Sequence, residues 1–244
     1  PGPIWGLPSD AGAQARTGLS ESMSPGSLTN LALDGGVALR ARFVDGDVPP
    51  AQRYWRGPVL WDFDGRTWSR NDADRRLAGG RVEPGSGRRQ RVDITLEPTR
   101  HDWLIALDVP LAADTSSTLN AGATLSVEDD VNARMRYSTT SVVGGVLDRE
   151  LDARARRRAL LLPVEGNERA RRLAARWHAQ YREPARIVEA ALQRFRQQPY
   201  RYTLSPPATR EDASVDDFLF DTLAGFCEHY AGAFTFLMRA AGVP

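Results

Sequence analysis

The residue with the clearest chemical potential is Cys227, the only cysteine in the chain. It opens a run in which apolar residues recur three and four positions apart, and this period predicts a helix. One stripe of that helix consists of Cys227, Tyr230, Ala231, Phe234, Leu237, Met238 and Ala241. Because the stripe is apolar, we expect it to face inward, with the thiol in the first turn.

A cysteine at the start of a helix is well placed for nucleophilic chemistry. The first backbone N–H groups of a helix have no intrahelical acceptor, and the aligned peptide dipoles favour negative charge, so the thiolate form is stabilised. The same N–H groups can hold an oxyanion, and Gly225 leaves room for a substrate to approach. These features favour attack on an amide carbonyl. A lone cysteine on an apolar helix face is also commonly a small buried side chain, and spacing alone leaves that alternative open.

The three histidines of the chain are not expected to act with this thiol. His229 lies two residues along the same helix, about 200° around its axis, and therefore points away from Cys227. His101 lies in a strand-rich region and His178 in a predicted helix, and both are interpreted as ordinary surface or packing residues. Glu228 is interpreted as a first-turn charge that complements the helix dipole. Cys227 is thus the one predicted catalytic residue.

Short alternating segments upstream of this helix predict a region of antiparallel strands. They cover residues 37–43, 59–63, 66–68, 92–96, 103–107 and 134–143. Asp64 and Gly65, between the second and third segments, suit the positive φ angles of a two-residue hairpin turn. Because turn residues separate the other strands, we expect an antiparallel, sandwich-like arrangement.

The period of the apolar residues changes to that of helices in the last third of the chain. The first predicted helix has Asn167 as its cap and an inner stripe of Ala170, Leu173, Ala174, Trp177 and Tyr181. A second helix begins at Pro184 and ends before Pro199. A short strand is predicted over residues 200–204. Ser214 and Asp217 resemble a capping box that opens a brief third helix.

The chain is therefore predicted to be α+β, with four successive segments. Residues 1–35 form an irregular lead-in, residues 36–148 the β-rich domain, residues 149–163 a charged linker and residues 164–244 a helical region. Arg154–Arg158, a run rich in arginine, is interpreted as a solvated helix face or linker within the third segment.

Composition excludes several classes of function. The net charge is +1 with 26% charged residues, so the concentrated positive field of a nucleic-acid surface is not expected. A single cysteine cannot form an internal disulfide, and no run of 18 apolar residues predicts a membrane span. All basic residues are arginine, so this region cannot supply a lysine amine for its own cross-linking. Neither a cofactor nor a metal is predicted.

Several of these motifs resemble one family, the bacterial membrane-anchored transglutaminase-like proteins. Residues 225–231 and 234–244 are similar to its nucleophile helix, and residues 214–220 to the segment before that helix. Further similar motifs lie at residues 3–8 of the lead-in and at residues 54–57, 63–65 and 68 of the β-rich part. The resemblance thus spans nearly the whole chain.

The resemblance implies a papain-like α+β core in which these residues form the helical N-terminal half. It implies a periplasmic location, with membrane-spanning helices elsewhere in the parent protein. It also implies a Cys, His, Asp triad whose His and Asp lie on strands beyond Pro244, so the chain is interpreted as truncated after its nucleophile helix and inactive alone. Without those strands, Tyr230, Phe234 and Leu237 are expected to be exposed or covered by another copy of the chain.

The leading hypothesis is thiol-dependent acyl transfer from a peptide or protein glutamine donor to an amine acceptor, as in protein-glutamine gamma-glutamyltransferases. One alternative is a cysteine protease or amidase of the same fold. The other is a non-catalytic periplasmic interaction module in which Cys227 is merely buried. A thiol that reacts with an alkylating reagent only above about pH 8 would indicate that it is not activated.

Overall fold

The computed structural model describes residues 20–25, 36–71 and 81–244. Over these residues the chain is α+β, as predicted, with strands in the first part and mostly helices after residue 150. The motif at residues 3–8 and most of the predicted lead-in lie outside the described residues. Residues 20–25 of the lead-in include a two-residue strand.

The described strands are short, with two exceptions of nine residues each. In chain order they are β1 Ser22–Met23, β2 Leu39–Phe43, β3 Trp55–Arg56, β4 Asp62–Phe63, β5 Trp68–Ser69, β6 Arg88–Leu96, β7 Trp103–Leu104, β8 Ala106–Leu107, β9 Val109–Ala113, β10 Thr118–Asn120, β11 Thr124–Ser126, β12 Met135–Val143, β13 Arg201–Tyr202 and β14 Ala224–Gly225. All of their pairings are antiparallel except that of β13 with β14.

The largest sheet has the order β2-β6-β12-β9. Strand β6 shows the alternation expected of a half-buried strand, with Val92, Ile94 and Leu96 inside. Smaller sheets have the orders β1-β5-β4, β10-β11-β7 and β3-β8. Most of the buried apolar residues of this region pack into one cluster that contains Trp103 and Leu107, both almost fully buried.

Two details of the β region differ from the sequence prediction. Residues 103–107 do not form one strand: β7 and β8 belong to different sheets, and Ile105 between them donates its N–H to the buried hydroxyl of Tyr137. The predicted hairpin forms between β4 and β5, but its loop is longer than two residues. The Asp64 carboxylate accepts the N–H groups of Arg66 and Thr67. These bonds form an Asx-type turn in place of the predicted two-residue turn.

The helices lie close to their predicted positions. They are α1 Ala153–Ala159, α2 Glu168–Gln180, α3 Pro184–Gln197, α4 Ser214–Asp216 and α5 Cys227–Ala240, and α4 continues as a π-helical turn over Asp217–Thr222. Helix α1 lies inside the predicted linker and is capped by Asp152. The predicted stripe of α2 is confirmed, since Ala170, Leu173 and Ala174 are buried. Pro184 starts α3 as expected.

Both predicted helix caps were wrong in detail. Asn167 precedes α2, but its side chain does not cap that helix. The Asp216 carboxylate does so instead, by accepting the N–H groups of Arg169 and Ala170 at 2.9 and 2.7 Å. In return, Asn167 Oδ1 accepts the N–H groups of Val215 and Asp216 at 2.9 and 3.1 Å. Ser214 makes no capping hydrogen bond, so the predicted capping box is absent from α4.

The helices share their apolar core with the β4–β5 hairpin. Phe63 and Trp68 of the hairpin belong to the same buried cluster as Phe236 and Leu237 of α5. The Phe63 ring stacks on Trp68 at 4.5 Å and meets Phe236 edge-on at 5.8 Å. These contacts join residues far apart in sequence, so part of the N-terminal region packs against the helix that begins with Cys227.

Candidate active site

Cys227 is the first residue of α5, which confirms the predicted position of the thiol. Phe226 before it has extended backbone angles, φ −123° and ψ −168°, so the chain turns sharply from β14 into the helix. The Phe226 carbonyl accepts the N–H groups of His229 and Tyr230 at 2.9 and 3.3 Å. A thiol at this position lies beside the N–H groups that a helix start leaves without helical acceptors.

The predicted inward orientation of Cys227 was wrong, because the thiol is exposed. The buried arc of α5 is rotated from the predicted stripe and contains Glu228, His229, Gly232, Ala233, Phe236, Leu237, Met238 and Arg239. A small residue permits the contact on this side: a Cβ on Gly232 would lie 3.1 Å from Trp68 Nε1, so the hairpin packs closely against Gly232. Aromatic residues occur on both sides of α5, and the sequence alone does not show which side the hairpin covers.

The rotation changes the predicted exposed face as well. Leu237 is fully buried in this chain's own core, so it was wrongly predicted to be exposed or covered by another chain. Tyr230 and Phe234 are half-buried and lie on the same side of α5 as Cys227. Self-association through these two residues stays a prediction.

Strand β13 brings a second tyrosine to the thiol. Tyr202 pairs with Gly225, two residues before Cys227, and its side chain is 65% exposed. Its ring stacks on that of Tyr230, with 6.3 Å between centroids and 22° between planes. The thiol therefore opens onto solvent beside an aromatic surface. The sequence signal for this contact was the predicted strand at residues 200–204, which gave no pairing partner.

The three histidines lie apart from the thiol, as predicted. His178 Nδ1 lies 3.0 Å from the carbonyl of Ala241, at the opposite end of α5. His101 stacks on Trp103 at 5.7 Å in the β region. His229 is 5% exposed and packs between Phe218 and Phe226, with ring centroids 5.6 and 5.0 Å away. Sequence reasoning placed His229 away from Cys227 but did not identify it as a core residue.

His229 and Glu228 border a small, partly open cavity on the side of α5 that faces away from the thiol. The cavity has a volume of about 20 Å³, enough for one water molecule. Glu228 lies in the first turn of α5, as predicted, and its side chain is 1% exposed. Its Oε1 lies 3.8 Å from His229 Nδ1, and no described protein atom hydrogen-bonds that nitrogen. Met23 and Trp68 also line the cavity, so the N-terminal region forms part of its wall.

Burial lowers the pKa of His229 to about 4, and the positive charge of Arg66 adds to the effect. The ring is therefore neutral at pH 7, and its contact with Glu228 is not an ion pair. The ordinary histidine pKa is about 6.5, so the unfolded chain binds this proton more readily than the folded one.

Stability is consequently expected to fall as the pH decreases from about 6.5 to about 4, by roughly 3 kcal/mol if His229 acts alone. Carboxylates whose pKa is lowered by arginines, such as Asp62 and Asp217, lose their contribution only below this window. Urea unfolding between pH 7 and pH 4.5 measures the slope. His229→Ala should flatten it and His178→Ala should not. Equal slopes in both variants would contradict the assignment.

The described residues contain no helix that is both long and apolar enough to cross a membrane. Within the same part of the chain, no group of three or more His, Cys, Asp or Glu side chains is arranged to hold a metal ion.

Two family models match the chain in succession. Residues 1–147 match the TgpA N-terminal domain, and residues 169–244 match the transglutaminase-like superfamily. The chain is 41% identical over 247 residues to a protein-glutamine gamma-glutamyltransferase from Pseudomonas aeruginosa. That match covers 100% of this chain and 36% of the relative, so the chain spans about a third of the relative's length.

Two solved structures share the fold. The crystal structure of the periplasmic domain of TgpA from Pseudomonas aeruginosa superposes with a TM-score of 0.85 and 41% identity, covering 93% of this chain and 78% of that one. The same domain bound to ethylmercury gives a TM-score of 0.82 and 40% identity, covering 93% of this chain and 80% of that one. The α+β fold and the resemblance to transglutaminase-like proteins are thereby confirmed.

Proposed function

The chain belongs to the transglutaminase-like proteins that carry a TgpA N-terminal domain, and on this premise we propose that its parent protein transfers acyl groups through the thiol of Cys227. The observation that carries the proposal is the exposed thiol at the first residue of a 14-residue helix, inside the part of the chain that matches the transglutaminase-like superfamily. The name of the Pseudomonas aeruginosa relative supports glutamine as the acyl donor.

In the proposed reaction, the Cys227 thiolate attacks the side-chain carbonyl carbon of a glutamine and a C–S bond forms. N–H groups at the start of α5 stabilise the oxyanion. The C–N bond then breaks, and ammonia leaves with a proton from a general acid. An amine gives up a proton to the same group and attacks the thioester, so an amide forms and the thiolate is restored.

The acid and base of this reaction are proposed to come from outside residues 1–244. His178 and His101 contact other parts of the fold, and His229 is buried and neutral. The proposed triad His and Asp would lie later in the parent protein, as the family resemblance implies. The 244 residues alone are then expected to form little product, since loss of the general base costs orders of magnitude in rate.

The site of action is proposed to be the periplasm, because both superposed structures are of a periplasmic domain. The amine acceptor must come from another molecule or another part of the parent protein, since all basic residues of this region are arginine. A guanidinium stays protonated and is a poor nucleophile.

The longer protein, incubated with a glutamine-containing peptide and a labelled primary amine, is expected to incorporate the amine and release ammonia. Release of ammonia without incorporation of the amine would show that the enzyme hydrolyses the glutamine side chain and does not transfer it. Cleavage of the peptide backbone would identify a cysteine protease. If the folded protein carries out none of these three reactions, the proposal fails in favour of an interaction module.

A further inference from the structure

His229, two residues after Cys227, packs directly against the segment that precedes Cys227. A Cβ added to Gly225 would lie 2.6 Å from His229 Cγ and 2.7 Å from His229 Cβ, distances that real Cβ atoms do not show. The imidazole thus fills the space in which any other residue at position 225 would place its side chain. Gly225 also belongs to β14, where its carbonyl accepts the N–H of Thr203 at 2.9 Å.

The same histidine also holds the residue that caps α5. Its backbone N–H donates to the Phe226 carbonyl at 2.9 Å, and its ring meets the Phe226 ring edge-on at 5.0 Å. Phe226 is fully buried, so it cannot move without disturbing these contacts. His229 therefore contacts both residues that precede Cys227, although its own ring lies on the opposite, buried side of the helix.

The ring also lines the small cavity on this side of α5. Its Nδ1 lies 3.8 Å from Glu228 Oε1, and no described protein atom hydrogen-bonds that nitrogen. A ring without nitrogen would place a carbon atom next to the Glu228 carboxylate at this position. The cavity walls include Ser214 and Arg66, and among the described residues the charged side chains that line the cavity together with the imidazole are Glu228 and Arg66.

We propose that His229 is a positioning residue for the nucleophile: it wedges against Gly225 and Phe226 and so fixes the thiol and the first N–H groups of α5 relative to each other. This inference deepens the proposed function and rests on Cys227 as its nucleophile. It also explains why a histidine next to a reactive cysteine is not its base. The ring acts through packing behind the thiol and not through proton transfer.

The test is the rate at which iodoacetamide alkylates Cys227 as a function of pH, measured on protein whose folded state is confirmed by circular dichroism. Because the chain has one cysteine, the rate reports a single site. His229→Ala and Gly225→Ala are each expected to lower the rate at pH 7 about fivefold, since the thiol is then held less firmly beside the first N–H groups of α5. His178→Ala, which alters a contact at the other end of α5, should stay within about twofold.

The double variant shows whether the two residues act together. If His229 acts through Gly225, the double variant loses no more than the slower single variant, whereas independent effects would multiply. Folded His229→Ala and Gly225→Ala proteins with wild-type alkylation profiles would overturn the inference. A double variant whose loss of alkylation rate is the product of the two single losses would also overturn it. If one variant does not fold, the other decides by the same criterion.

Alkylation does not require acyl transfer, so the inference and the proposed function fail separately. In the longer protein, His229→Ala is expected to lower kcat for amine incorporation and leave KM for the glutamine donor within about twofold. An inactive wild-type protein with altered alkylation in the variants would sink the proposed function alone. An active protein with unchanged alkylation in the variants would sink the positioning role alone.

Discussion

Replacement of Cys227 by alanine in the longer protein is expected to reduce amine incorporation by at least about a thousandfold, because the thioester cannot form without the sulfur. The side chain is exposed and sits at the first position of α5, so its removal should leave the fold intact. Equal unfolding curves for variant and wild type would separate loss of chemistry from loss of structure. The product is measured as labelled amine bound to a glutamine peptide.

Val164→Ala is a suitable control, because Val164 is 93% exposed in the loop before α2. This variant should retain full activity. Substantial activity of Cys227→Ala would show that another group is the nucleophile. The single cysteine of the chain allows a complementary check: an organomercurial should attach at one position, which Cys227→Ala removes.

Replacement of Asp216 by alanine is expected to destabilise the helical region by about 3–5 kcal/mol. The carboxylate is 4% exposed and accepts two backbone N–H groups at the start of α2, and each hydrogen bond to a buried charge contributes about 1.5–3 kcal/mol. Its removal also leaves the buried N–H of Ala170 and the partly buried N–H of Arg169 without this acceptor. Chemical denaturation measures the difference in the free energy of unfolding.

Asp221→Ala provides the matched control at the same end of α2. Asp221 also approaches Arg169, but the pair is solvent-exposed on both sides, at 41% and 47%. An exposed ion pair contributes less than about 1 kcal/mol, so this variant should be nearly as stable as wild type. Similar losses for the two aspartates would mean that the charge near α2 matters and the hydrogen bonds from Asp216 do not.

The contact between the N-terminal hairpin and α5 bears on how the two matched families work together. Arg239 of α5 donates to the carbonyls of Trp61 and Leu161 at 2.9 and 2.8 Å, and its guanidinium lies 4.8 Å from the centre of the Trp68 ring. Arg239 is 8% exposed, so these bonds are nearly shielded from water. The N-terminal region therefore supports the helix that carries Cys227 and is not only an attached module.

Local patterns predicted most elements because each pattern records an interaction within a few residues. The apolar stripe of α2, the proline that starts α3 and the hairpin around Asp64 all follow from such local rules. The caps of α2 and α4 were missed for the opposite reason. Asn167 and Asp216 exchange their capping roles across a separation of 49 residues, and no local motif encodes that exchange.

By itself, the sequence determined that one cysteine begins a helix and that no nearby histidine can serve it, because helical period and position in the chain decide both. Only the tertiary structure decided which side of α5 is buried. The small residues Gly232 and Ala233 let Trp68 approach from one side, and that contact turns Glu228 and His229 inward and the thiol outward. The direction of a helix face depends on the partner that packs against it, and that partner is distant in sequence.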